Sequence, residues 1–94
     1  MPQVKKPRNA ELTSAGIFIR RKNPELFQVQ LGEHWIDVVK SEGCCGVLYT
    51  VEGQKTPRGY APLRRKEDIE WVERTVDDVA EKDRIEDYSI RTAL

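Results

Sequence analysis

The stretch LFQVQLGEHWIDVV, residues 26–39, constrains the fold more than any other part of the chain. Apolar and polar residues alternate on both sides of a central Gly-Glu pair, and this period of two is typical of a half-buried strand. Glycine in the first central position suits a type II′ turn, which needs a positive φ there. The pattern predicts an antiparallel hairpin in which Leu31 faces His34 and Gln30 faces Trp35.

This register separates the hairpin into an apolar face and a polar face, and a slip of one residue would mix the two. We therefore expect the apolar face to lie in the core and the polar face to remain available for a partner. The apolar set is Phe27, Val29, Leu31, Ile36 and Val38, and the polar set is Gln28, Gln30, Trp35 and Asp37.

One further strand is predicted before the hairpin and one after it. GIFIRR (16–21) is rich in β-branched and aromatic residues, and an odd loop across KNPE places Ile17 and Ile19 on the apolar face. VLYTVEG (47–53) places Val47, Tyr49 and Val51 on one face. The segments KSEGCCG (40–46) and QKTPRGYAP (54–62) are expected to be irregular because they contain glycine and proline.

A single amphipathic helix is predicted to begin between residues 63 and 66, with Pro62 at or near its first turn. The fold class is therefore α+β: a four-stranded antiparallel meander packed against one C-terminal helix, spanning residues 14–94. Residues 1–13 are expected to form a flexible basic arm, and 83–94 a short return strand or a loosely docked tail. The apolar stripe of the helix is Ile69, Val72, Val76, Val79 and Ala80.

The net charge of zero conceals an asymmetry. Residues 1–66 hold 12 Lys and Arg against 6 Asp and Glu, whereas residues 67–94 hold 4 against 10. Such a separation is informative about partners and not about fold. The basic part favours an anionic partner, and the acidic helix favours a basic protein surface.

Other features narrow the class of protein. No apolar run approaches the roughly 20 residues of a membrane span, and no secretory signal is recognised, so we expect a cytoplasmic protein without a membrane partner.

Cys44 and Cys45 are adjacent and so predict reduced thiols and not a disulfide that closes a loop. A zinc site needs about four N or S ligands, and two cysteines with one histidine do not supply them. We expect no metal and no cofactor.

The leading functional hypothesis is a small non-catalytic module that binds a larger protein as a regulator, adaptor or inhibitor. Self-association through the same surface is equally compatible. Tryptophan is enriched in binding hot spots, and both tryptophans fall outside the predicted core. The candidate protein-binding residues are Trp71, Trp35, Glu70, Arg74, Asp77 and Asp78.

The alternative hypothesis is a nucleic-acid-binding module. Clustered basic residues bind phosphates, and an aromatic ring can stack on a base. The candidate residues for this activity are Arg20, Arg21, Lys22, Arg58, Tyr60, Arg64 and Arg65.

A third hypothesis is a thiol enzyme or redox sensor that uses Cys44 or Cys45, with His34 as base and Asp37 as orienting carboxylate. It requires the fold to bring these residues together, and no motif supports it. The sequence therefore predicts that the protein is not an enzyme.

Overall fold

A computed structural model describes residues 9–92, and this range forms seven strands and one helix. The elements are β1 (Ala10–Leu12), β2 (Phe18–Asn23), β3 (Leu26–Leu31), β4 (His34–Gly43), β5 (Gly46–Thr56), β6 (Gly59–Ala61), α1 (Lys66–Lys82) and β7 (Tyr88–Thr92). Strands β1 to β6 follow one another as an antiparallel meander. Strand β7 joins the sheet by pairing in parallel with β5. The α+β class is confirmed, and the number of strands is larger than predicted.

The central hairpin is confirmed pair by pair. Leu31 faces His34, Gln30 faces Trp35, and the register continues without interruption to the pair of Leu26 with Val39. Gly32 has φ +60, the positive value that the turn requires. We call the sheet surface that contacts α1 the inner face and the opposite surface the outer face.

The hairpin of β2 and β3 closes with a two-residue turn, Pro24 and Glu25, because Asn23 pairs with Leu26, so the predicted odd loop is wrong. Ile19 faces Val29, and both Ile17 and Ile19 are buried in the core. The register shifts between Arg21 and Asn23, so a bulge keeps the apolar residues of β2 on the inner face.

The core lies between the inner face and α1. The ring of Tyr49 packs edge-on against the rings of Phe27 and Tyr88, with centroid distances of 6.0 and 5.8 Å. Burial raises the pKa of Tyr49 because its ionised form would lose hydration. The predicted apolar stripe of α1 is buried except for Ile69, which is half-buried. Thr75 is also buried on this side of the helix.

The three strands beyond the predicted four are short and lie outside the strongest patterns. Strand β1 comes from residues 10–12 of the predicted arm, and residues 1–8 of that arm lie outside the described range. Strand β6 comes from the segment expected to be irregular. Strand β7 confirms a return strand in the tail. Three residues are too few to display an alternation, which explains why β1 and β6 were missed.

Helix α1 begins at Lys66, which lies within the predicted range of 63–66, and Pro62 lies four residues before it, near its first turn but not in it. Glu67 and Asp68 in the first turn and Lys82 in the last complement the helix dipole. Parallel pairing of β7 with β5 requires a long crossover, and α1 supplies it.

Strand β5 shares its second edge between two partners. Residues 54–56 pair with β6, and residues 47–51 pair with β7. Gly53 lies at the junction with φ +113, and a Cβ atom there would collide with the carbonyl oxygen of Ala61. The absence of a side chain therefore lets the chain leaving β6 pass close to β5.

Candidate protein-binding surface

The outer face carries a polar row that crosses the sheet. Arg20 on β2 faces Gln28 on β3, and Gln28 faces Asp37 on β4. In the described range the single helix lies on the inner face, so no second layer covers this row. Tyr60 on β6 completes the row from the far side of β5.

Asp37 organises this row although only 2% of its surface is exposed. Its Oδ1 accepts a hydrogen bond from Gln28 Nε2 at 2.7 Å, and its Oδ2 accepts one from the Tyr60 hydroxyl at 3.0 Å. The hydrogen bond to Asp37 raises the pKa of Tyr60, with smaller contributions from burial and from the charge of Asp37. Both carboxylate oxygens are thus occupied, which allows a buried charge on the sheet surface.

Gly53 lies next to this hydrogen bond in the sheet. Asp37 faces Gly53 in the ladder of β4 and β5, and Tyr60 faces Lys55 in the next ladder. A Cβ atom at position 53 would meet the backbone of Ala61 and Pro62. Glycine therefore allows the close approach of the chain segment that carries Tyr60.

Arg20 and Trp35 form the second ordered feature of the outer face. The guanidinium carbon of Arg20 lies 3.9 Å from the ring centroid of Trp35, which is a cation–π stack. Both side chains are half-buried. Within residues 9–92, Arg20 has no ion-pair partner, and its buried Nε has no hydrogen-bond partner. The stack holds a positive group at a fixed place on this face.

Trp71 lies on the helix side of the sheet, with 42% of its surface exposed. Its indole Nε1 donates a hydrogen bond to the backbone oxygen of Gln30 at 3.3 Å. Because Gln30 is also the cross-strand neighbour of Trp35, the two tryptophans lie near one point of the sheet on opposite faces. They cannot form one continuous hot spot.

The other predicted protein-binding residues lie on α1. Glu70 and Arg74 are exposed, and Glu70 lies 3.9 Å from Lys66. The carboxylate of Asp77 already accepts a hydrogen bond of 2.6 Å from the Tyr88 hydroxyl within the domain. Asp78 is half-buried, and its Oδ2 has no hydrogen-bond partner among the described residues. The exposed surface of helix α1 is therefore acidic, but some of its carboxylates already bond to other residues of the domain.

The predicted nucleic-acid-binding residues do not form one patch. Arg20 and Tyr60 share the outer face, but Arg21 is paired with Glu11 and Asp83 beside the helix terminus. Lys22 lies at the turn between β2 and β3, whereas Arg58 lies at the opposite end of the sheet. Arg64 and Arg65 precede α1, and Arg65 lies 3.7 Å from Glu67.

The hypothesis of a thiol enzyme with a His34 base fails on geometry. His34 begins β4, and its Nδ1 lies 3.0 Å from Gln54 Nε2. Cys44 follows the other end of the same ten-residue strand, about 30 Å away at 3.3 Å per residue. The segment expected to be a loop at 40–46 is instead the end of β4, a two-residue turn and the start of β5.

Sequence reasoning missed several members of the outer face. Leu12 is 53% exposed and faces the half-buried Phe18 across β1 and β2. Ile17 and Ile19 are on the inner face, so alternation along the strand already places Phe18 on the outer face. Lys55 and Arg91 could not be assigned to a face until the registers of β5 with β6 and β7 were known.

The chain was compared with known proteins and structures. No protein-family model matches it, and neither the curated proteins nor the solved structures include a significant match. Within residues 9–92, no group of three or more His, Cys, Asp or Glu residues is placed to hold a metal ion. No helix in that range is long and apolar enough to cross a membrane.

Proposed function

We propose that the protein is a small non-catalytic binding module, which docks its outer sheet face onto a larger protein and acts as its regulator, adaptor or inhibitor. The observation that carries this proposal is the Arg20–Trp35 stack on a sheet face that α1 leaves uncovered. Tryptophan, tyrosine and arginine dominate the energetics of protein interfaces, and this face presents all three.

Preorganisation supports binding through this face. Ordering a long side chain at an interface costs about 0.5–1.5 kcal/mol. Arg20 already rests on Trp35, and Tyr60 is already bonded to Asp37. A partner therefore meets side chains whose freedom is largely lost before binding.

Charge indicates an acidic partner surface. The register places Arg20, Lys55 and Arg91 on the outer face. Asp37, the carboxylate in the same polar row, is buried and has a hydrogen bond on each oxygen. Glu52, whose charge acts on Tyr60, is half-buried, so the three basic residues outnumber the free carboxylate near this row. A carboxylate of the partner would supply the ion pair that Arg20 lacks within the described residues.

Nucleic acid is the second candidate, because Trp35 and Tyr60 present rings beside Arg20 on one face. Aromatic rings on a sheet can stack on bases. However, Arg21 is paired with two carboxylates, and Lys22 and Arg58 lie at opposite ends of the sheet. This distribution favours a protein partner.

Charge reversal on the two faces tests the proposal. Lys55→Glu changes the outer face, and Arg74→Glu makes the same change in charge on α1; both residues are exposed. Immobilised wild-type and variant proteins would be incubated with lysate of the source organism, with and without nuclease treatment, and retained proteins would be identified by mass spectrometry. We expect a protein that the wild type and Arg74→Glu retain and that Lys55→Glu loses.

Other outcomes contradict this assignment. Loss with Arg74→Glu alone would move the interface to the acidic helix. Retention that disappears on nuclease treatment would favour nucleic acid. Dimerisation of the purified protein that Lys55→Glu abolishes would identify a second copy as the partner. Circular dichroism of each variant establishes that the fold is intact.

A further inference from the structure

The turn between β4 and β5 consists of two cysteines. Gly43 faces Gly46 in the last pair of the ladder, so Cys44 and Cys45 alone form the tip. Both thiols are exposed and free, and their Sγ atoms lie 3.4 Å apart. Two neighbouring soft donors are thus presented at the end of a rigid hairpin.

The separation of the sulfur atoms selects a ligand geometry. Two thiolates bound tetrahedrally at about 2.3 Å lie about 3.8 Å apart, whereas a linear ion at that bond length needs roughly 4.6 Å. The 3.4 Å between the sulfur atoms is closer to the bent arrangement than to the linear one. Thiolates select soft, thiophilic centres. We propose that Cys44 and Cys45 form a bidentate site for a trivalent organoarsenical or a similarly bent thiophilic centre.

The segment before β7 packs against the base of this turn. Gly46 has φ +109, and a Cβ atom there would lie 2.6 Å from the carbonyl oxygen of Asp87. The same oxygen accepts a hydrogen bond from the backbone N–H of Val47 at 2.9 Å. The segment leading into β7 therefore fixes the base of the hairpin. This support limits the rearrangement needed for both sulfur atoms to bind one centre.

The binding step requires no oxidant. With phenylarsine oxide, two S–H bonds and the bonds between arsenic and oxygen break. Two As–S bonds form, and the two protons leave with the oxygen as water. Arsenic stays trivalent, and the sulfur atoms keep their oxidation state.

Phenylarsine oxide is the probe for this site. Native mass spectrometry of the reduced full-length protein should show one arsenical per chain. The second As–S bond forms within the molecule, with an effective thiol concentration in the millimolar range or higher. We therefore expect removal from the wild type to need at least about tenfold more 2-mercaptoethanol than removal from Cys44→Ser or Cys45→Ser. A dithiol competitor should remove it readily.

A matched variant separates chelation from simple thiol content. Ser14 is exposed in the connection of β1 and β2, at the end of the sheet opposite the cysteine turn. The double variant Ser14→Cys, Cys45→Ser keeps two thiols but separates them. Resistance to 2-mercaptoethanol equal to that of the wild type, in this variant or in either single variant, would overturn the proposal. Wild-type binding of two arsenicals per chain would also overturn it.

Discussion

The hydroxyl of Tyr60 reaches across β5 and donates a hydrogen bond to Asp37 Oδ2, 3.0 Å away on β4. Tyr60→Phe removes this bond, and we expect the free energy of unfolding to fall by about 1 kcal/mol. Urea denaturation followed by circular dichroism measures the change. Tyr49→Phe is the matched control, because its buried hydroxyl has no hydrogen-bond partner in the described structure. That variant should be neutral or slightly stabilising, and an equal loss in both would contradict the role of Asp37.

Gly53 and Gly59 have nearly the same backbone conformation, with φ +113 and +119, but different space around them. An added Cβ atom collides with Ala61 at position 53 and meets nothing within 4 Å at position 59. Both alanine variants bear the strain of a positive φ, and only Gly53→Ala bears the collision. We expect Gly53→Ala to be less stable than Gly59→Ala by about 2 kcal/mol in urea denaturation. Equal stabilities would show that the chain between β6 and α1 can move aside.

The Tyr88–Asp77 hydrogen bond of 2.6 Å attaches β7 to α1 and raises the pKa of Tyr88 to about 12. A raised pKa in the folded state means that the stabilisation is complete below pH 10 and is lost as the pH rises through 12. We expect Tyr88→Phe to be less stable than the wild type by about 1 kcal/mol at pH 8. The difference should shrink between pH 10 and 12 in unfolding experiments. A difference that stays constant over this interval would contradict the bond.

Arg21 joins the start of the described chain to the end of α1. Its guanidinium binds both carboxylate oxygens of Asp83, at 2.9 and 3.0 Å, and Glu11 at 3.0 Å. The bond to Asp83 is the main reason for the raised pKa of Arg21. A double-mutant cycle of Arg21→Ala and Asp83→Ala should give a coupling of about 1 kcal/mol that weakens with added salt. A coupling near zero would mean that this ion pair is fully screened by solvent.

Glu11 extends this network to Lys82 at 3.2 Å. Burial alone would raise the pKa of Glu11, but hydrogen bonds and charges from Lys82 and Arg21 outweigh it and lower the pKa. Because the pKa of Glu11 is lowered in the folded state, the stabilisation is fully present above pH 4.5, the ordinary value, and is lost as the pH falls through the lower pKa of the folded protein. Glu11→Gln should therefore reduce the stability at pH 7 and have a smaller effect at pH 3, measured by urea denaturation. An undiminished effect at pH 3 would contradict the ion pairs.

The central hairpin could be predicted in full because its information is local. Alternation on both strands and a glycine at the turn leave one register that places Phe27, Val29, Leu31, Ile36 and Val38 on one face. The stripe of α1 follows from the same kind of reasoning at a period of 3.6. These features depend on side chains a few positions apart, and no distant part of the chain has to be known.

The candidate binding surface could be predicted only in part. Trp35 belongs to the outer face by alternation alone, and that assignment is confirmed by its register. Its contact with Arg20 depends on the bulge in β2, which no local pattern announces. Helical spacing places Trp71 outside the apolar stripe, and its side chain is 42% exposed. Its hydrogen bond to the backbone of Gln30 depends on how α1 packs against the sheet, which spacing does not show.

The sequence by itself determined the hairpin register, the amphipathic helix and the adjacency of the two cysteines. Tertiary structure alone decided that Tyr60 meets Asp37, that Arg21 meets Asp83 and that β7 pairs with β5. These contacts join residues 23 to 62 positions apart, or depend on a crossover through α1. Periodicity reports only which face a residue occupies. Which distant residue it meets there is decided by the packing of the whole core.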